Sequence, residues 1–403
     1  MSGSERPSPA AELVFFAREV SEVYDNERRF TLAPDDFALL NPNTRTCPTF
    51  RWQRDADLTK AIYRRVPVLV REGDPDGNPW GVSFRQGLFN MASDSHLFQA
   101  EPGDGRVPLY EGKMIHLFDH RFGTYEGQTQ AQAAQGKLPE LADEQHADPD
   151  LPARPRYWVD ALEVQARLAG RWDRGWLLGW RDITSSVVLR TVITTALPRV
   201  AVGHNMPLVF TQHPRETPAL LANLSSFAFD YVARQKIGGT HLTFFVLEQL
   251  PVLPPNDYER TAPWVDDQSY SGWLASRVLE LVYTAWDMQP FARDHGYGGP
   301  PFRWGPERRA LLRAELDAAF FHLYGLERND VDYVMDTFWV VRDRDVKAHG
   351  EYRTKRLILE IYDELAEAIA TGRPYQTRLD PPPADPRVAH PPRSEATRAA
   401  VEG

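Results

Sequence analysis

The sequence is short of the groups from which compact catalytic and metal centres are usually built. Its single cysteine, Cys47, excludes an internal disulfide framework and any cysteine-rich zinc site. That cysteine sits in a proline-flanked loop with no histidine near it in sequence, and no serine or cysteine nucleophile motif occurs elsewhere. No apolar run reaches transmembrane length, and the opening MSGSERPSPAAEL lacks a basic stretch followed by an apolar core, so a cytoplasmic location is expected. Basic residues are not in excess either. With 46 Lys and Arg against 56 Asp and Glu the net charge is −10, which excludes a uniformly basic nucleic-acid binder and makes any DNA contact local.

What is present is an ordinary soluble composition. Over 403 residues, 42% hydrophobic and 25% charged, two or three packed units with a sizeable core can form. The charge is unevenly spread. Asn41 to Arg71 holds seven Lys and Arg and two Asp and Glu, a net of +5, and Arg171 to Leu250 carries a net of +3. The acid gathers around Pro139 to Asp150 and in the C-terminal part.

The stretch Leu220 to Pro255, LLANLSSFAFDYVARQKIGGTHLTFFVLEQLPVLPP, is the most informative. It reads as a helix from Leu220 to Tyr231, a polar turn, and an extended run with a proline stop. Gly238 and Gly239 permit backbone angles or a close approach that a side chain would forbid, and Arg234 and Lys236 stand just before them. Two cations beside bare backbone amides suit a phosphate oxygen. The plainer reading is a helix-to-strand connection with solvated cations.

Several other segments can be read in order. Glu12 to Tyr24 spaces Leu13, Phe16, Val20 and Val23 for one helical face. Arg54 to Arg65 forms a helix on which Lys60 and Arg64 share a side; with Arg65 they can meet a backbone phosphate, or simply form a solvated face. Arg45, Arg51 and Arg54 pose the same choice. Leu109 to Gly127 alternates like a strand or tight strand pair. There His116, Asp119 and His120 raise the question of a metal, but the segment does not read as a helix, no third ligand is evident, and no metal is expected. Thr129 to Arg154 reads as a flexible surface insertion, a helix begins near Asp160, and Trp176 to Phe210 gives two or three strands. Trp273 to Trp286 and at least three segments after Pro306 are helical, with Leu312, Leu316, Ala319, Phe320 and Leu323 as an apolar stripe.

Five of these blocks resemble one family. ARQKIGGTHLTFFVLEQLPVLPP, NPNTRTCP with RDADLTKAIYRRVPVL, WGVSFRQGLFNMASDSHLF, LYEGKMIHLFDHRFGTYEG, and GWRDIT with RTVITTALPR look like the target-recognition region of large adenine-N6 DNA methyltransferases. These are the type IIG restriction–modification enzymes and related phage-defence methylases. RAELDAAFFHLYGLERNDVDYVMDTF fits the same family and looks structural, a helical pair closing over the recognition core. Together the matches span most of residues 13 to 373. The resemblance implies duplex DNA as partner, contacted by Arg45, Arg51, Arg54, Lys60, Arg64, Arg65, Arg181, Thr184, Arg190, Arg234, Lys236, Gly238 and Gly239. Arginine and threonine read base edges or hold phosphates, yet they serve equally as cross-strand pairs on a sheet.

The chemistry of the family's catalytic half is missing from the chain. Adenine-N6 methylation uses a loop of the N-P-P-aromatic or D-P-P-aromatic type to hold the flipped base. Asn41-Pro42-Asn43-Thr44 lacks the second proline and the aromatic, Asp380-Pro381-Pro382-Pro383 lacks the aromatic, and no glycine turn for a cofactor follows a strand. No catalytic residue is therefore expected, and S-adenosylmethionine is expected on a methyltransferase domain supplied by a partner or by upstream sequence. Two alternatives stay open: a non-catalytic scaffold subunit of a defence complex, and a magnesium-dependent nuclease built on Asp336, Asp345 and Lys347. The expected fold is α+β, a mixed small-sheet recognition domain followed by a C-terminal helical subdomain. Its expected parts are a disordered start (1–10), a helical basic connector (11–72), the recognition domain (73–255, with 129–154 as the insertion), a helical subdomain (256–375) and a disordered tail (376–403).

Overall fold

The computed structural model describes residues 9–393 and is α+β. Its strands and helices are named here in chain order. The N-terminal part carries β1 (Ala11–Leu13), β2 (Phe30–Leu32), α1 (Pro34–Leu40) and α2 (Gln53–Arg65). The sheet-rich part holds β3 (Ser83–Arg85), β4 (Arg106–Tyr110), α3 (Gln130–Ala134), α4 (Asp143–His146), β5 (Trp158–Asp160), α5 (Ala161–Leu168), β6 (Trp176–Trp180), β7 (Thr194–Pro198), β8 (Ala201–Val202) and β9 (Leu208–Phe210). Then follow α6 (Thr217–Ser225), α7 (Phe227–Lys236) and α8 (Phe244–Leu247). The C-terminal part is α9 (Tyr270–Val282), α10 (Gln289–Asp294), α11 (Pro306–Leu323), α12 (Arg328–Asp336), α13 (Trp339–His349) and α14 (Arg353–Thr371).

Three small sheets form among the described residues: β1 with β2, the antiparallel order β3-β9-β6-β7, and β5-β4-β8, in which β4 runs antiparallel to β5 and parallel to β8. Every residue of β6 and β7 is buried, which is why both read as continuous apolar or β-branched runs rather than alternating ones. The helix α6 is buried at all nine of its positions and packs on β7 and α9. A helix with no solvent face belongs to the centre of a fold. The following α7 packs on α11 and α12, so the sheet-rich and helical halves share one continuous apolar core.

The local reasons for these elements are visible in the sequence. Ser226 ends α6 and caps α7, its hydroxyl accepting the Phe229 N–H, which splits the single helix expected over Leu220 to Tyr231 into two. Asp160 caps α5 and Pro306 opens α11 at its first turn. On α14, Leu357, Ile358, Ile361, Tyr362, Leu365 and Ala368 make the buried stripe that lies along α11, and Gly372 closes the helix in a left-handed conformation at φ 69°.

Four expectations are corrected by the packing. Glu12 to Tyr24 is not a helix: Leu13 pairs with Phe30 across β1 and β2, Phe15 stacks on Phe30, and Val20 to Tyr24 forms a separate 3-10 turn. The segment 129–154 is not a loose insertion. The buried Arg121 guanidinium donates to the carbonyls of His146, Asp148 and Leu151, and the His146 ring stacks on Trp304 at 3.8 Å. Within the tail expected to be disordered, residues 376–393 are ordered, with Leu379 buried, Thr377 donating to Glu315, and Arg378 bound to Glu360 and Glu364. Residues 394–403, like 1–8 of the expected disordered start, lie outside the described residues. The run after Gly239 folds into the turn of α8 instead of extending.

Candidate nucleic-acid interface

The cations singled out in the central stretches do not face solvent. Arg190 is 5% exposed and its guanidinium lies 2.7 Å from the Asp230 carboxylate, also donating to the Ser225 carbonyl at 2.6 Å. Arg234, one helical turn after Asp230, donates to the same carboxylate at 3.3 Å and to the carbonyls of Val188, Leu189 and Thr337. Asp230 itself is fully buried and also accepts the Thr191 N–H. Lys236 reaches across the chain to the Leu40 carbonyl, the Asn41 side-chain oxygen at 2.7 Å and the Gln249 carbonyl at 2.6 Å. Burial pushes its ammonium well below the ordinary lysine value, and three oxygens supply what water would otherwise give. Arg181 donates to the carbonyls of Ile115 and Lys113, and burial lowers it to about 10.

These four residues are corrected from candidate phosphate contacts to clamps. An N–H already donating to a buried protein oxygen is not free for a phosphate, and removing a clamp leaves a buried acceptor unsatisfied. Thr184 is likewise committed, its hydroxyl donating to the Thr191 carbonyl at 2.6 Å.

What the clamps hold is a set of loops. The loop 182–188 pairs with 240–242 through the Ile183–His241 bridge and the bonds from Thr184 N–H to Thr240 and from Leu242 N–H to Asp182. The loop 41–46 joins the same region where Thr44 donates to the Gln249 side chain, which in turn donates to the Phe245 carbonyl. Three loops therefore lie side by side, with Arg234 and Lys236 behind them. Their outer groups are exposed: Arg45, Gly238, Gly239 and Thr240, together with Ile183 at 61%, Val187 at 49% and Phe245 at 59%. Gly238 and Gly239 have open space around them and no left-handed backbone, so their smallness keeps the loop bare rather than relieving a strained turn.

Sequence reasoning missed one pair on these loops. His241 is exposed, and its Nδ1 lies 3.1 Å from the buried Asp182 carboxylate. The carboxylate accepts from that nitrogen and so orients the ring, whose Nε2 has no hydrogen-bond partner among the described residues. The two residues are 59 apart in sequence, and no spacing rule links them.

The cations of the 41–71 segment divide. Arg54 binds Asp330 and the Asn329 carbonyl and lies over the Tyr333 ring at 4.1 Å, Lys60 pairs with Asp57 at 3.2 Å, and Arg65 donates to the Leu323 carbonyl at the end of α11. Arg65 thus turns away from Lys60 and Arg64, and the trio does not form. Arg45 and Arg51 are exposed, Arg51 lying over the exposed Phe16 ring at 4.5 Å, and Arg64 is 63% exposed with only Asp36 at 3.9 Å. The Asp345 and Lys347 of the nuclease alternative lie on α13, Asp345 accepting the Thr354 N–H and Asp336 paired with Lys355. His120 bonds Asp287 and His146 bonds Asp119, so the histidines and the aspartate of the 116–120 segment do not converge on one point.

Neither a scan against protein-family models nor a search among curated proteins finds a match to the chain.

Proposed function

We propose that the chain is the DNA target-recognition portion of an adenine-specific N6 methyltransferase of a restriction–modification or phage-defence system. It binds duplex DNA and presents adenine to a catalytic domain that carries S-adenosylmethionine. The observation that carries this reading is the loop face described above. Loops 41–46 and 182–188 are fastened from behind by the buried Lys236 and Arg234, and loop 238–245 by its backbone pairing with 182–188, while their outer side chains are left to a partner. Such a face supplies base-edge readers in His241 and apolar contacts in Ile183 and Phe245, with Arg45 for a phosphate.

Fluorescence anisotropy of labelled duplex DNA across a salt series tests it. Affinity should fall linearly with log salt, Arg45→Ala should reduce the slope by about 1, and His241→Ala should weaken binding without changing the slope. No binding at low salt would overturn the reading. A scaffold role is the second reading, favoured by the exposed Val20 at 77% and Tyr24 at 73%, which suit a protein partner better than DNA. Under that reading the same titration stays flat.

A further inference from the structure

A cleft of about 490 Å³ opens between the 116–122 turn, the end of the 182–190 loop, and helices α11, α13 and α14. Its wall carries His116, Arg190, Arg309, Arg313, Asp317 and Arg344. Two of the arginines are committed to the fold: Arg190 to Asp230 and Ser225, Arg309 to the carbonyls of Leu281 and Phe118. Arg313 is different. It projects from α11, half-buried at the cleft wall, and among the described residues it makes no hydrogen bond or ion pair. The His116 imidazole, also lining the cleft, likewise has no hydrogen-bond partner among the described residues, and the exposed Arg344 has none.

The aromatic walls are already covered. Trp304 has His146 at 3.8 Å and Arg309 at 3.7 Å, Phe227 has Phe338 edge-on at 4.6 Å and Arg190 at 4.0 Å, and Phe122 has His116 at 4.7 Å. The cleft therefore offers N–H donors beside rings that already have protein neighbours. Most of its carboxylates are engaged as well. Asp119 accepts from His146, Asp143 from Trp304, Glu307 from Arg353, Asp345 from the Thr354 N–H, and Asp317 from the Phe227 N–H at 2.8 Å; the exposed Glu140 sits at the mouth. Around His116 cations prevail: burial first, then Arg181 and Arg313, push its imidazole down to about 3, leaving a neutral ring with one N–H to donate.

We propose that this cleft binds a phosphoryl group, its oxygens taken by the Arg313 fork and the His116 N–H, with Arg344 closing from the rim. A planar guanidinium with its donors unused matches two phosphate oxygens at once. The volume exceeds that of a phosphate alone, so the group arrives attached to something, either a free nucleotide-like molecule or the backbone of DNA. The proposal stands independently of the loop face, whose exposed residues it does not use.

Isothermal titration of the full chain with inorganic phosphate and with a nucleoside 5′-monophosphate, at constant ionic strength in chloride, reads the site directly. Wild type should bind saturably, and Arg313→Gln should weaken both on the order of tenfold, the loss expected for a charged hydrogen bond. If that variant loses its near-UV circular dichroism, Arg313→Lys reads the same contact, keeping the charge and losing the fork. Unchanged affinity in the folded variant, or no saturable binding of either probe at millimolar concentration by wild type, overturns the proposal. A duplex that displaces the bound phosphate assigns the group to DNA backbone; a duplex that binds alongside it assigns a free phosphorylated molecule.

Discussion

Two groups of arginine meet at Arg190, one gathered on Asp230 and one along the cleft wall, and they differ in how their donors are used. At Asp230, Arg190 and Arg234 converge on one fully buried carboxylate, and their remaining N–H groups reach four backbone carbonyls. At the cleft, Arg313 and His116 line the same cavity, and among the described residues the Arg313 guanidinium makes no hydrogen bond or ion pair, Asp317 being the carboxylate that acts most on its charge. The first cluster fixes where chain segments go, whereas at the cleft Arg313 leaves its donors unoccupied beside the committed Arg190 and Arg309. A buried arginine is informative about function only after its five donors have been accounted for.

Breaking the first cluster gives the largest expected effect. Asp230→Ala leaves two guanidinium groups facing each other in a buried site and should destabilise by about 3–5 kcal/mol, the usual cost of removing one partner of a buried pair. Chemical denaturation monitored by circular dichroism measures it, and a loss below about 1 kcal/mol would mean that water already screens the cluster. Next comes Lys236→Met, which leaves the Leu40 and Gln249 carbonyls and the Asn41 side chain without their donor. It should cost about 1–3 kcal/mol, reduced by relief from burying an ammonium, and should detach loop 41–46 first. Faster amide exchange confined to residues 40–46 is the expected signature.

These two clusters also mark where the sequence stops being informative. Helices α2, α5, α9, α11 and α14 are legible because periodicity and caps are local: the Asp160 and Pro306 signals act within one turn. The destination of a long side chain is not local. Lys236 finds the Leu40 carbonyl 196 residues away, and Arg181 finds Ile115 66 residues away. In both cases the letters show a cation in a polar turn or strand end and nothing about which carbonyl lies opposite. The same applies to order in 129–154, where a composition typical of loose loops is fastened by groups outside the segment, among them Arg121, Asp119 and Trp304. The exposed loop at Gly238 and Gly239 is legible, because its bareness is a property of the residues themselves.

The cleft can be sharpened through Asp317. Burial, which outweighs Arg190 and Arg313, pushes its carboxyl up to about 6 from an ordinary 3.8. The folded state thus holds this proton more tightly than the unfolded chain. The stabilisation is complete below pH 3.8, is lost as pH rises through about 6, and stays lost above it. Asp317→Asn imitates the protonated form and keeps an acceptor for Phe227. It should be more stable than wild type by on the order of 1–2 kcal/mol at pH 7.5, with the gap shrinking as pH falls through about 6 and closed below 3.8. His116, depressed to about 3, works in the opposite sense and destabilises the fold as pH falls below 6.5, but it is common to both proteins and cancels in the difference. Paired thermal melts across pH give the comparison, and a gap independent of pH would contradict it.

The smallest effect on the fold belongs to Arg64, and that is its use. Its side chain is 63% exposed, and its one ion pair among the described residues is with Asp36 at 3.9 Å, so Arg64→Ala should leave stability within about 0.5 kcal/mol. A cation that does nothing for the fold is a clean probe of whether the basic 41–71 segment meets DNA. If it does, the variant loses one phosphate contact, the salt slope of duplex binding falls by about 1, and affinity drops equally for every sequence. If Arg45→Ala changes the slope and Arg64→Ala does not, DNA lies on the loop face and stays off α2.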